Sequence, residues 1–264
     1  MLNTLLAIPD RMGRQLGRAV LYLVDLATFA VKAIIQDHDR GLFNRATYHA
    51  TLTQVIFTGI DGLPLVSLLA VATGVSVAAN LVTIVEVFGD PSDVIDVLIQ
   101  VIVLELGALL TAIVIIGRSG SAMAVDIGNA KLRGEIEGLE LLGMDIDRFI
   151  VIPRLLGTAI AQVVLSVYFA ILALISGILM PALVKAPAYF SYFSVLPQSF
   201  PPADMLIFLT KNLLFGLVIG AAACFHGLQV TNSVNEVPQQ TQRALVVSLA
   251  MIFMIDGIIA IGIA

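Results

Sequence analysis

Two ionisable residues stand where charge is expensive. Glu105 lies inside an apolar run long enough to cross a bilayer and Asp256 near the end of another, while Lys211 stands near the start of a third. Such groups rarely face lipid; they face a protein interior or a wet cavity, and so they are candidates for function. Three chemistries suit them: holding the polar end of a ligand, relaying an ion or proton, or bracing helices by hydrogen bonds. The residues alone leave these open for Glu105, and Asp256 equally suits capping or bracing near the end of its span. Other chemistries lack their residues. His38, His49 and His226 are scattered, and there is neither an H-E-x-x-H pattern nor a paired-cysteine spacing. Cys224 is the single cysteine, so no internal disulfide forms. No phosphate-binding G-x-x-x-x-G-K-[ST] loop occurs, nor the clustered aspartates and Ala-Arg pair of a membrane phosphatidyltransferase. The reading is of a non-enzyme with no metal site and no cofactor on this chain, and with no nucleic-acid partner.

The elements that position these residues are membrane helices. The chain is 59% hydrophobic and 12% charged, with a mean hydropathy of +1.00, against roughly 25% charged residues in soluble domains. Several uncharged runs reach the ~20 residues a spanning helix needs. The fold class expected is an all-α polytopic membrane protein with an N-terminal interfacial amphipathic helix and five transmembrane helices. The interfacial helix covers about 11–36, with Arg14, Arg18, Asp25, Thr28, Lys32 and Gln36 along one face. A surface connection follows at 37–53. The spans are placed at 62–85, 94–117, 155–184, 205–228 and 244–264. An acidic loop at 86–96 and a loop rich in Pro, Tyr and Phe at 185–204 join them on one side. The N-terminus lacks the basic start and continuous apolar core of a signal peptide, so the first segments are expected to remain. Placing the N-terminus in the cytoplasm puts 12 of the 14 basic residues inside and only Lys185 and Lys211 outside, which the positive-inside rule favours. Five spans then carry the C-terminus to the other face.

Between the second and third spans lies a charged elbow. Gly117-Arg118-Ser119-Gly120-Ser121-Ala122 leaves the apolar run. Its glycines permit a sharp bend, and its small side chains permit close helix approach. Residues 126–147 then mix Lys131, Arg133, Glu135, Glu137 and Glu140 with Ile136, Leu139 and Leu142. Ile136, Leu139 and Leu142 recur every three residues, giving a short helix with one apolar face. It reads equally as a solvated loop helix or as a docking helix for a soluble partner.

This stretch resembles the MlaE family of ABC-transporter permeases. The resemblance is carried by Glu105-Leu106-Gly107, Leu109-Leu110-Thr111-Ala112, Gly117-Arg118, Gly120-Ser121-Ala122, Lys131, Glu135-Ile136-Glu137, Gly143-Met144-Asp145, Arg148-Phe149 and Pro153-Arg154. Departures are Leu104 where the family usually has Arg, Ala108 and Ile146 where it has Pro, and 227–243 in place of a glycine-rich loop. The resemblance implies one permease domain over 1–264, with its transmembrane core at about 62–264. It implies a homodimer in the bacterial inner membrane that moves phospholipid or a similar lipid between inner and outer membranes, maintaining outer-membrane lipid asymmetry. It also implies a cytoplasmic ABC ATPase dimer carrying ATP and Mg, a periplasmic MCE-domain protein, usually hexameric, and room for a small STAS-type regulatory subunit. The lipid cavity at the dimer interface is then expected to be lined by Leu81, Ile84, Val85, Phe88, Leu104 and Glu105. The ATPase is expected to couple through Lys131, Arg133, Glu135, Glu137, Leu139, Glu140 and Leu142. Arg118 and Asp256 are expected to be structural polar groups.

Two rivals are weighed beside it. A stand-alone secondary transporter would use Glu105, Asp256 and Lys211 as an ion or proton relay, but five spans divide badly into the repeated halves such carriers show. A membrane-embedded lipid enzyme lacks a catalytic cluster.

Overall fold

Every described element is helical, as an apolar chain in hydrocarbon requires, because each peptide group must find its partner within its own segment. The computed structural model describes Tyr22 and residues 24–26, 28–32, 45–88, 99–184, 201–231 and 233–263. Most of the expected interfacial helix, the connection at 37–44, the acidic loop from 89 and the aromatic loop at 185–200 lie outside these residues. Where 24–26 and 28–32 are described they are helical, and Leu26 is buried against Ala221 and Ala222.

Helix α1 spans Arg45–Phe88, 44 residues, or roughly 66 Å at 1.5 Å per residue. It begins well before the expected start at 62. Asp61 does not end the helix; it sits inside it, 3.2 Å from Arg118 of the second span, and Pro64 is accommodated three residues on. The partner across the helix pair explains why a charge there marks no boundary.

The second span corrects the expectation of a bend at Gly117–Ala122. A π-helical stretch, Ile99–Gly107, runs into α2 (Ala108–Ile115), a π-helical turn at Ile116–Gly120 and α3 (Ser121–Leu132). The junction residues Gly107, Ile115, Ile116, Gly120 and Ser121 all keep right-handed helical angles. The helix therefore continues through the glycines without a break. Gly120 serves packing: a Cβ there would stand 3.3 Å from Ile219, whereas one on Gly117 would meet nothing within 4 Å, and Ser119 is buried.

The chain turns at Arg133 and Gly134, where Gly134 takes φ 72°. The elbow helix α4 is then only Glu135–Leu141, shorter than the sequence suggested at both ends. Gly143, at φ 76°, closes it: its N–H bonds the Glu140 carbonyl at 2.9 Å and Met144 N–H bonds the Leu139 carbonyl at 3.0 Å, the paired bonds of a Schellman ending. Asp145 starts the next helix by accepting from Asp147 N–H at 3.1 Å. Gly134→Ala should destabilise the turn by about 1–2 kcal/mol, the left-handed cost for a residue with a Cβ. Gly138→Ala, inside α4 with open space at its Cβ, should raise stability slightly. Thermal unfolding in detergent reads both.

The third span, a π-helical turn at Asp147–Val151 followed by α5 (Ile152–Val184), stands between α1 and α6 (Pro202–Gly227). Helix α7 (Glu236–Ile263) packs on α6, and the second span lies across the set. Among the described residues, five segments are long and apolar enough to cross a membrane. Close approach is set by glycine: a Cβ on Gly74 would stand 2.1 Å from the Ala173 carbonyl oxygen, and one on Gly216 2.4 Å from Ala159 Cα.

Candidate functional site

The two charges singled out by position, Glu105 and Asp256, meet at Lys211, which the sequence reading joined to them only in the rival relay. Lys211, near the start of α6 and 2% exposed, donates from Nζ to Glu105 Oε2 at 2.9 Å and to the Leu104 carbonyl at 3.0 Å. It also forms an ion pair with Asp256 of α7. Glu105 and the Leu104 carbonyl belong to the π-helical stretch, whose widened turn recurs at functional positions in helices. A lysine ammonium has three N–H groups, and three acceptors surround it. The amine is thereby held, and the Glu105 side chain, 39% exposed, is the member left facing open space.

That space is a cavity of about 170 Å³ lined by Gln100, Leu104, Glu105, Asp204, Ile207, Phe208, Lys211, Ile259 and Ala260. It lies at the end of the bundle away from the elbow. One turn further into the bundle, Gln162 Nε2 donates to Asn212 Oδ1 at 3.0 Å and to the Ala108 carbonyl at 3.2 Å. Asn212 Nδ2 in turn donates to the Phe208 carbonyl at 2.9 Å. These bonds tie α5, α6 and the second span together beside the triad. The sequence reading passed over Asp204, Gln162 and Asn212. The signal was there: Gln162 and Asn212 are polar residues within apolar runs. Lys211 was assigned to the edge of its span, and the structure puts it in the interior.

At the elbow the expected coupling residues separate. Lys131, half-buried, donates to the Leu228 carbonyl and so caps the C-terminus of α6. Arg133 pairs with Glu135 at 2.8 Å, both well exposed. Ile136 is 4% exposed and packs with Ile127, Val151 and Leu155, pinning α4 to the bundle. Glu137 and Glu140 are exposed and Leu139 half-buried. Leu142 does not share the buried face of Ile136: it is 78% exposed, beside Leu141 at 89%. Arg118 makes the ion pair with Asp61 already described. Leu81, Ile84, Val85 and Phe88 belong to the last turns of α1, and their side chains lie outside the described residues.

The N-terminal segment is tied down at the elbow end. Burial pushes the Tyr22 phenol up, only partly offset by Arg243 nearby, so it remains a neutral donor. Its O–H donates to His226 Nε2 at 2.5 Å, which leaves Nδ1–H to donate to Gln240 Oε1 at 3.0 Å.

Five apolar spans among the described residues, a charged triad beside a cavity and a short surface helix at the opposite end define a multi-pass membrane protein. The permease family MlaE matches residues 51–261, and the chain belongs to that family. It is 23% identical over 255 residues, 97% of each chain, to a probable ABC transporter permease protein of Rickettsia bellii. It is 26% identical over 214 residues, 81% of this chain and 80% of the other, to a probable ABC transporter permease protein of Synechocystis. It is 28% identical over 156 residues, 59% of this chain and 60% of the other, to the intermembrane phospholipid transport system permease protein MlaE of Haemophilus influenzae.

Proposed function

We propose that this chain is the permease subunit of an ABC transporter that moves phospholipid or a similar lipid between the inner and outer bacterial membranes. It works as a homodimer, with a lipid cavity between the subunits, and it contributes no catalysis. ATP and Mg are bound by a separate cytoplasmic ATPase dimer, and a periplasmic MCE-domain protein receives or supplies the lipid. A small STAS-type subunit is a further partner on the same reading. The N-terminus and elbow are cytoplasmic and the C-terminus periplasmic.

The observation that carries this reading is the position of the triad. Glu105, Lys211 and Asp256 all fall inside the matched 51–261; Glu105 and Lys211 line a cavity with mixed polar and apolar walls, and Asp256 holds Lys211 from behind. A few fixed polar groups in apolar walls suit an amphipathic ligand. The elbow supplies the complementary feature: Leu141 and Leu142 project from a helix pinned by Ile136, among Glu137 and Glu140. An apolar knob with an acidic rim suits a basic-edged groove on the ATPase, and nucleotide-driven closure would pass through α4 as rigid-body movement.

Purification of the tagged chain in mild detergent tests the reading. ATPase and MCE subunits should co-elute, with phospholipid in the extract by mass spectrometry. Leu141→Asp with Leu142→Asp should lower ATPase retention about tenfold or more, as loss of a central apolar anchor does, without altering the thermal unfolding of the permease. The triad also suits an ion-coupled carrier. A lone protein driving proton-coupled uptake in liposomes would establish that reading instead.

A further inference from the structure

At the elbow end the N-terminal helix lies across three other elements. Leu26 is buried against Ala221 and Ala222 of α6, with Val247 and Met251 of α7 alongside. Phe29 meets the Phe225 ring of α6 edge-on at 5.6 Å. Phe29 and Ala30 also pack on the cluster of Ile127, Ile136, Val151 and Leu155. Lys32 stands within electrostatic reach of Asp147 at the foot of the third span. The helix therefore bridges α6, α7 and the third span, and it shares an apolar seat with Ile136, the residue that pins α4. Its other flank is open, with Val24, Asp25, Thr28, Val31 and Lys32 all exposed.

One imidazole supplies the polar tie. His226, 3% exposed, has Nδ1 3.0 Å from Gln240 Oε1 of α7 and Nε2 2.5 Å from the Tyr22 oxygen. A neutral ring satisfies both, donating at Nδ1 and accepting at Nε2. The groups facing it are Tyr22 from the N-terminal helix and Gln240 and Arg243 from α7. Lys131 of α3 is bonded to the Leu228 carbonyl two residues beyond. A proton on Nε2 would place a buried cation opposite Arg243 and set a second donor against the Tyr22 O–H. Burying a charge without a counter-ion is costly, so docking and protonation exclude one another.

We infer that the N-terminal helix is a releasable strap over the elbow end of the bundle, latched through Tyr22, His226 and Gln240 and freed when His226 takes a proton. The strap depends on neither cargo nor ATPase, and it goes beyond the permease reading. Its release would uncover one side of the cluster that seats α4.

A pair of spin labels measures docking directly. Cys224, the single native cysteine, is replaced by alanine. Val24→Cys on the strap and Val234→Cys on the turn after α6, 50% and 75% exposed, carry the labels. The full-length chain in dodecyl maltoside, diluted with unlabelled chain, is taken from about pH 8 to about pH 5, the range in which imidazole changes charge. The narrow distance of the docked strap should give way to a broad, longer distribution. For one proton the docked-to-free ratio should fall by up to about tenfold per pH unit. His226→Gln should keep the distance narrow throughout, because the amide stays neutral. Arg243→Gln, at an exposed position, should move the transition to higher pH, because the cation facing the ring is gone. An unchanging distance in the wild-type background overturns the latch, as does a transition that survives in His226→Gln or ignores Arg243→Gln. Loss of the transition in Asp147→Asn would overturn it too, since the Lys32 contact would then be the one that titrates.

Discussion

Replacing Lys211 by Met should abolish lipid transfer and lower the stability of the bundle at the same time. Among the described residues the amine alone bridges these two carboxylates, and Asp256 is itself largely buried, with its side chain 13% exposed. Removing one member of a buried ion pair typically costs about 3–5 kcal/mol, because the other is left uncompensated. Glu105 is affected less. Its carboxylate is 39% exposed and opens on the cavity, so water or a ligand cation replaces much of what the amine supplied.

The double variant Lys211→Met, Asp256→Asn separates stability from function. It removes the orphaned charge and should restore most of the unfolding temperature in detergent. Lipid transfer by the reconstituted complex should stay at least tenfold below wild type, since Glu105 then lacks the partner that fixes its carboxylate against the Leu104 turn. Full recovery of both would make the triad a structural brace. That alternative remained open from the sequence, and this pair of variants decides it.

The sequence made the membrane class and the number of spans legible because both rest on composition and run length, which need no knowledge of neighbours. It placed helix ends badly wherever a polar residue had a distant partner. Asp61 looked like a boundary because Arg118 is 57 positions away in sequence and 3.2 Å away in space. Lys131 looked like surface charge because its acceptor, the Leu228 carbonyl, belongs to another helix. Gly120 looked like part of a bend because glycine permits both bending and close packing, and only the neighbouring Ile219 of α6 decides which. The triad was half legible: two costly charges in apolar runs were evident one by one, and their meeting at Lys211 was not.

The second large effect belongs to a residue with no chemistry. Gly216 and Gly220 sit one turn apart on the face of α6 that meets α5, the small-xxx-small spacing that lets membrane helices touch backbone to backbone. A Cβ at 216 would stand 2.4 Å from Ala159 Cα, 2.8 Å from the Thr158 carbonyl oxygen and 3.0 Å from Ala159 N. These are backbone atoms, and no rotamer change moves them. Gly216→Ala must therefore push α6 off α5. Overpacking commonly costs about 1–3 kcal/mol, and rigid backbone on both sides puts this case at the upper end. The displacement also reaches the site: Asn212 lies one turn from Gly216, and its bond to Gln162 at 3.0 Å fixes the turn that carries Lys211. Thermal unfolding and lipid transfer should fall together in Gly216→Ala, and neutralising Asp256 should recover neither. Gly257→Ala on α7, with nothing near its Cβ, should leave transfer at the wild-type value and, like Gly138→Ala, raise stability slightly. If Gly216→Ala matched Gly257→Ala instead, the position of Lys211 would not depend on the close α5–α6 contact.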